Sequence, residues 1–77
     1  MYIKPELIEQ FLIDNEMFTD REISIATSVG GYNEETLNYL IYYNTAYHDI
    51  EQLYECEPNS FYFNDKILEL LQDTEVK

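Results

Sequence analysis

Seventy-seven residues make one small domain (1–77), and a chain this short buries only about 60–65% of the surface it exposes when unfolded. Sixteen acids stand against four bases, a formal net charge of −12. That sign excludes direct nucleic-acid binding, which needs a basic footprint, and it opposes anionic membrane surfaces. Apolar residues at 45%, with eight tyrosines and four phenylalanines, separate the chain from disordered acidic tails, which lack them.

The chain reads as a string of short helices marked by capping signals. The first is expected over Pro5–Asn15, with proline at a first-turn position that needs no N–H. Leu7, Ile8, Phe11 and Leu12 fall on one face. The second starts at Thr19, where Thr19-Asp20-Arg21-Glu22 spells a capping box. Ile23, Ala26 and Val29 are expected inward, and Gly30-Gly31 should stop the helix in a left-handed conformation. The third follows Asn33 as N-cap, with Glu34 and Glu35 in its first turn. Its stripe is Leu37, Leu40 and Ile41, widened by Tyr39, Tyr42 and Tyr43, and it should end near Asn44 or Thr45. A fourth, short helix follows Asp49, with Ile50, Leu53 and Tyr54 inward, and ends before Pro58. The fifth follows Asn64, with Ile67, Leu68, Leu70 and Leu71 inward and a frayed end over Gln72–Lys77.

The fold class is therefore all-α, a single small domain of four to five short helices. Ser24–Val29 and Ser60–Phe63 also tolerate extended backbone. Strand in both places would make a two-stranded ribbon and an α+β alternative.

Catalytic chemistry finds no support. His48 stands alone beside Asp49 at a helix start and reads as a turn residue. Cys56 lies between Glu55 and Glu57, whose charges disfavour a thiolate. A single cysteine makes no internal disulfide and no zinc site. The Gly30-Gly31 pair leads into Tyr32-Asn33-Glu34-Glu35, without the alternating oxygen ligands of a calcium loop. Phosphate-binding, dinucleotide and zinc-protease motifs are missing. We expect no cofactor, no metal and no enzyme. The acids inside Met1–Asn15 argue against a signal peptide, and no apolar run reaches the ~18–20 residues of a membrane span. The expected setting is the bacterial cytoplasm.

The acids carry the main signal. Between Arg21 and Lys66 there is no Lys or Arg, while Glu22, Glu34, Glu35, Asp49, Glu51, Glu55, Glu57 and Asp65 fall in that gap. Like charges one helical turn apart, as at Glu51 and Glu55, lie about 5–6 Å from each other and support no fold. A globule of this length is about 30 Å across, and duplex DNA carries about 18 charges over that span, the same order as sixteen acids. The tyrosines give a second reading. Tyr39 and Tyr43 are one turn apart, as are Tyr43 and Tyr47 if the helix continues, and tyrosine is a preferred interface anchor.

In length, charge and tyrosine content the chain resembles the small acidic proteins that phages use against bacterial defence, the anti-CRISPR and antirestriction proteins. Residues Gly31-Tyr32, Glu35-Thr36-Leu37-Asn38, Thr45, Tyr47 and Gln52 are also similar to stretches in small phage proteins. The resemblance in overall character to anti-defence proteins, and not those residues, implies an inhibitor that fills a basic, nucleic-acid-binding groove of a defence nuclease such as a CRISPR effector. The residues expected at that contact are Glu34, Glu35, Asp49, Glu51, Glu55 and Glu57 with Tyr39, Tyr42, Tyr43 and Tyr47. The alternative is a non-enzymatic adaptor, which could be a homodimer, binding a protein through its tyrosine-rich helical surface while the charges serve solubility.

Overall fold

The structure, a computed structural model, describes residues 3–73. These form five helices and no strand: α1 (Pro5–Asp14), α2 (Asp20–Gly30), α3 (Glu34–Thr45), α4 (Ile50–Cys56) and α5 (Asp65–Asp73). The expected fraying over 72–77 falls partly outside the described residues; Gln72 and Asp73 close α5.

Four starts carry the side-chain caps expected of them. Thr19 Oγ1 accepts from Glu22 N at 3.2 Å while Glu22 Oε1 accepts from Thr19 N at 2.9 Å, so the capping box is reciprocal. Asn33 Oδ1 accepts from Thr36 N, Asp49 Oδ1 from Gln52 N and Asn64 Oδ1 from Ile67 N, all within 2.9 Å. Each satisfies a first-turn N–H that has no partner within its helix. α1 has no side-chain cap and begins on Pro5.

The helix ends are less regular. α1 stops in a Schellman turn, with Met17 N donating to Leu12 O and Glu16 N to Ile13 O, both at 2.9 Å. The left-handed position of that turn is Glu16, at φ 56°, where glycine is the usual occupant. Ala46 does the same after α3, at φ 72°. The glycine pair divides its work. Gly31 alone takes positive φ, at 93°. Gly30 ends α2 against Thr36, whose Oγ1 would lie 2.9 Å from a Cβ placed there.

α3 is the organising helix and packs on both α1 and α2. Leu37, Leu40 and Ile41 are buried, facing Ile8, Phe11 and Leu12 from α1 and Ile23 from α2. Ile50 and Leu53 of α4 and Ile67 and Leu71 of α5 complete the core. Leu68, Leu70 and Tyr54 pack half-buried against it. Two expectations are corrected here. Val29, expected inward, is 86% exposed: with Ile23 at the centre of the inward arc, it lies too far round α2 to reach the core. Tyr39, Tyr42 and Tyr43, expected to widen the inward stripe, are all exposed.

The Ser24–Val29 segment lies within α2, and Ser60–Phe63 is irregular, so the ribbon alternative does not form among the described residues. Phe61 and Phe63 instead flank Phe11, with ring centroids 6.2 and 5.2 Å away, and Tyr54 meets Phe63 edge-on at 5.2 Å. Asn15 holds this segment in place. Its Oδ1 accepts from Tyr62 N at 2.7 Å and its Nδ2 donates to Tyr62 O at 2.9 Å. One carboxamide thus supplies both hydrogen bonds that a neighbouring strand would offer.

Candidate functional site

α3 divides two surfaces. On its α4 flank, Tyr39, Tyr42, Asn38, Glu35 and His48 line a shallow depression. His48 lies in the α3–α4 turn and stacks on Tyr42, with centroids 5.4 Å apart and planes 14° from parallel. Its backbone N–H donates to Gln52 Oε1 at 2.7 Å, which fixes the turn to α4. Asn38 also borders a second crevice, shared with Glu34, Asp49, Glu51 and the edges of Ile3, Ile8 and Ile50. That crevice encloses about 20 Å³, space for one water and nothing larger. Six of the expected contact residues (Glu34, Glu35, Tyr39, Tyr42, Asp49 and Glu51) therefore form one continuous surface through Asn38.

On its α2 flank, α3 forms an open, mainly apolar groove lined by Ala26, Val29, Gly30, Thr36, Tyr39 and Leu40, with Glu35 its one charged lining residue. Thr36 Oγ1 donates to Gly30 O at 2.9 Å and closes one end. Ile25 and Tyr43, 60% and 73% exposed, lie one turn from Val29 and Tyr39 on the same outward lines. Tyr43 leans on Phe18, with centroids 6.5 Å apart.

The other expected contact residues have different surroundings. Tyr47 is half-buried, because the chain leaves the helix at Ala46 and the expected one-turn repeat from Tyr43 is broken. Its hydroxyl donates to Glu57 Oε2 at 2.7 Å, and that bond, with partial burial, raises the Tyr47 pKa above its usual 10.0. Tyr47 and Glu57 thus serve each other. Asp49 spends one oxygen capping α4. Glu55 is exposed on α4, one turn beyond Glu51, and lines neither crevice. Cys56 is exposed.

Among the described residues, the side-chain partners of the acids are neutral donors. Besides the caps and Glu57, Glu9 accepts from Tyr32 at 2.8 Å and Asp14 from Gln10 at 2.8 Å. Tyr32 carries the α2–α3 turn onto α1. Partial burial, then the hydrogen bond to Glu9 and the charges of Glu9 and Glu6, push its pKa up to about 12. Lys4 and Lys66 line a separate cleft with Glu6, Glu69, Leu7 and Leu70. No three His, Cys, Asp or Glu among the described residues are placed to share a metal ion, and no helix among them is long and apolar enough to cross a membrane.

The α2–α3 groove is what the sequence pattern missed, although a signal was present. Ile23–Asn33 and Thr36–His48 contain no acid, lysine or arginine. In a chain with sixteen acids, only Glu34 and Glu35 interrupt 26 residues. Apart from that pair, the stretch is uncharged and rich in tyrosine and hydroxyl side chains. Comparison with family models, curated proteins and solved structures finds no match for the chain.

Proposed function

We propose that this protein is a non-catalytic inhibitor that covers a basic, nucleic-acid-binding surface of another protein, of the kind phages direct at bacterial defence nucleases such as CRISPR effectors. The observation that carries the reading is the surface joined at Asn38, where exposed Tyr39 and Tyr42 adjoin Glu34, Glu35, Asp49 and Glu51. Tyrosine supplies rigid apolar contact with a wet hydroxyl. The carboxylates steer the approach of a positive partner and set its register. Shallow crevices suit a protein surface rather than a small substrate, which needs a deeper enclosure. The acids are spread over all five helices, so the duplex-like charge density serves long-range attraction, and close contact falls to this one patch.

The test is capture of partners from bacterial lysate by the tagged chain, with elution in a salt gradient. A nucleic-acid-binding protein released by moderate salt and displaced by duplex DNA is the expected result. Tyr42→Ala should weaken that complex by about tenfold or more. Glu34→Gln with Glu51→Gln should slow association and flatten its salt dependence. An association rate indifferent to salt would overturn the reading. The exposure of Tyr39, Tyr42 and Tyr43 favours a second reading, a protein-binding adaptor. Tyrosine substitution would then abolish binding while neutralising the acids leaves it intact.

A further inference from the structure

We infer that the α2–α3 groove is a self-association surface that pairs two copies of this chain. Val29 and Tyr39 line it with most of their surface in water, at 86% and 63%, and Ile25 at 60% and Tyr43 at 73% stand exposed one turn away along the same helices. A monomer gains nothing by exposing a contiguous apolar patch of this kind, and such patches mark interfaces.

The occupant follows from charge. Two chains of −12 repel each other wherever carboxylates meet. The hairpin face is where they can meet with the fewest, because Ile23–Asn33 and Thr36–His48 carry none. Three charged residues border it: Arg21, Glu22 and Glu35. Glu22 is turned back onto Thr19 N by the capping box. Arg21 lies one turn before Ile25 on the outward line of α2, and Glu35 lies one turn before Tyr39 on the outward line of α3. The short turn at residues 31–33 folds the two helices back on one another, so Arg21 and Glu35 fall at opposite ends of the groove. A two-fold axis through its middle exchanges those ends, as an isologous interface requires. It brings Arg21 of each copy toward Glu35 of the other. The single base between Lys4 and Lys66 then sits where the pairing needs it. Two helical hairpins stacked on their apolar faces form a four-helix arrangement, a common solution for helices with one uncovered stripe.

This pairing covers Tyr39 and Glu35, which also edge the Tyr42–His48 depression, and leaves Tyr42, His48 and the Asn38 crevice open, so variants at Val29 and at Tyr42 test the two surfaces separately. Sedimentation equilibrium of the full chain is the test. From about 0.1 M to about 1 M NaCl the screening length falls from about 10 Å to about 3 Å. The dimer should therefore tighten with salt, the reverse of the dependence expected for the basic partner. Val29→Lys, at a site too exposed to affect folding, should raise the dimer Kd by about tenfold or more. Arg21→Glu and Glu35→Arg should each weaken the dimer, and the double exchange should restore it. A monomer up to about 1 mM at every salt concentration, or a dimer indifferent to Val29→Lys, would overturn the inference. Partner capture by the monomeric Val29→Lys chain reports separately on the proposed function.

Discussion

The two flanks of α3 use the same inward stripe and opposite outward chemistry. Toward α4, carboxylates from Glu34, Asp49 and Glu51 gather around Asn38, one turn from Tyr42, and the surface is acidic and lightly creviced. Toward α2, two helices present Ile25, Val29, Tyr39 and Tyr43 beside a mainly apolar groove whose one charged lining residue is Glu35. The difference teaches that net charge describes the molecule and not its contacts. Repulsion between carboxylates is long-ranged and acts over the whole chain, whereas apolar burial acts only where surfaces touch. A chain this acidic can still carry an apolar contact surface if the acids of one hairpin are confined to the first turns of its helices.

The comparison can be broken at its shared base. Leu37 is fully buried in α3 beneath both flanks, so Leu37→Ala should cost about 2–5 kcal/mol. A small domain with marginal stability should then lose both surfaces together. Urea unfolding measures the loss, and a loss under about 1 kcal/mol would mean that α3 is not the common support.

Smaller changes should separate the flanks. Thr19→Ala removes the reciprocal cap of α2 and should cost about 1 kcal/mol, loosening the groove side first. Ala46→Gly relieves a left-handed alanine at the α3–α4 turn and should add about 0.5–1 kcal/mol, firming the acidic side. Amide exchange resolves the two: faster exchange confined to α2 in the first variant, slower exchange around residues 45–50 in the second. Uniform changes across the chain would show that the flanks unfold as one unit.

The smallest effect is a pH dependence at Tyr32, which ties the α2–α3 turn to α1. Its folded pKa, about 12, lies above the ordinary 10.0. The fold favours the protonated phenol, so the stability it supplies is present in full below pH 10 and is lost as pH rises toward 12. Alkaline unfolding of Tyr32→Phe should therefore fall less steeply over that window than that of the natural chain. Equal slopes would remove the Glu9 bond from the account.

The helices were legible because their signals are local. Thr19, Asn33, Asp49 and Asn64 each cap a helix from three residues away, and Leu37, Leu40 and Ile41 keep helical period. The turns at Glu16 and Ala46 were not, since neither residue type announces a left-handed backbone. Nor was the hold of Asn15 on Tyr62, which joins residues 47 apart in sequence. Of the expected contact residues, Tyr47 and Glu57 bond to each other because the chain turns at Ala46, and sequence spacing carries no record of that turn.

By itself, the sequence determined the all-α class, the capped helix starts, the internal stripe and the excess of negative charge. These depend on residue type and short-range spacing. Only the tertiary structure decided which side chains stay outside. Whether Val29 or Tyr43 is buried depends on how far round its helix the neighbouring helices reach, and that is set by packing among segments distant in the chain.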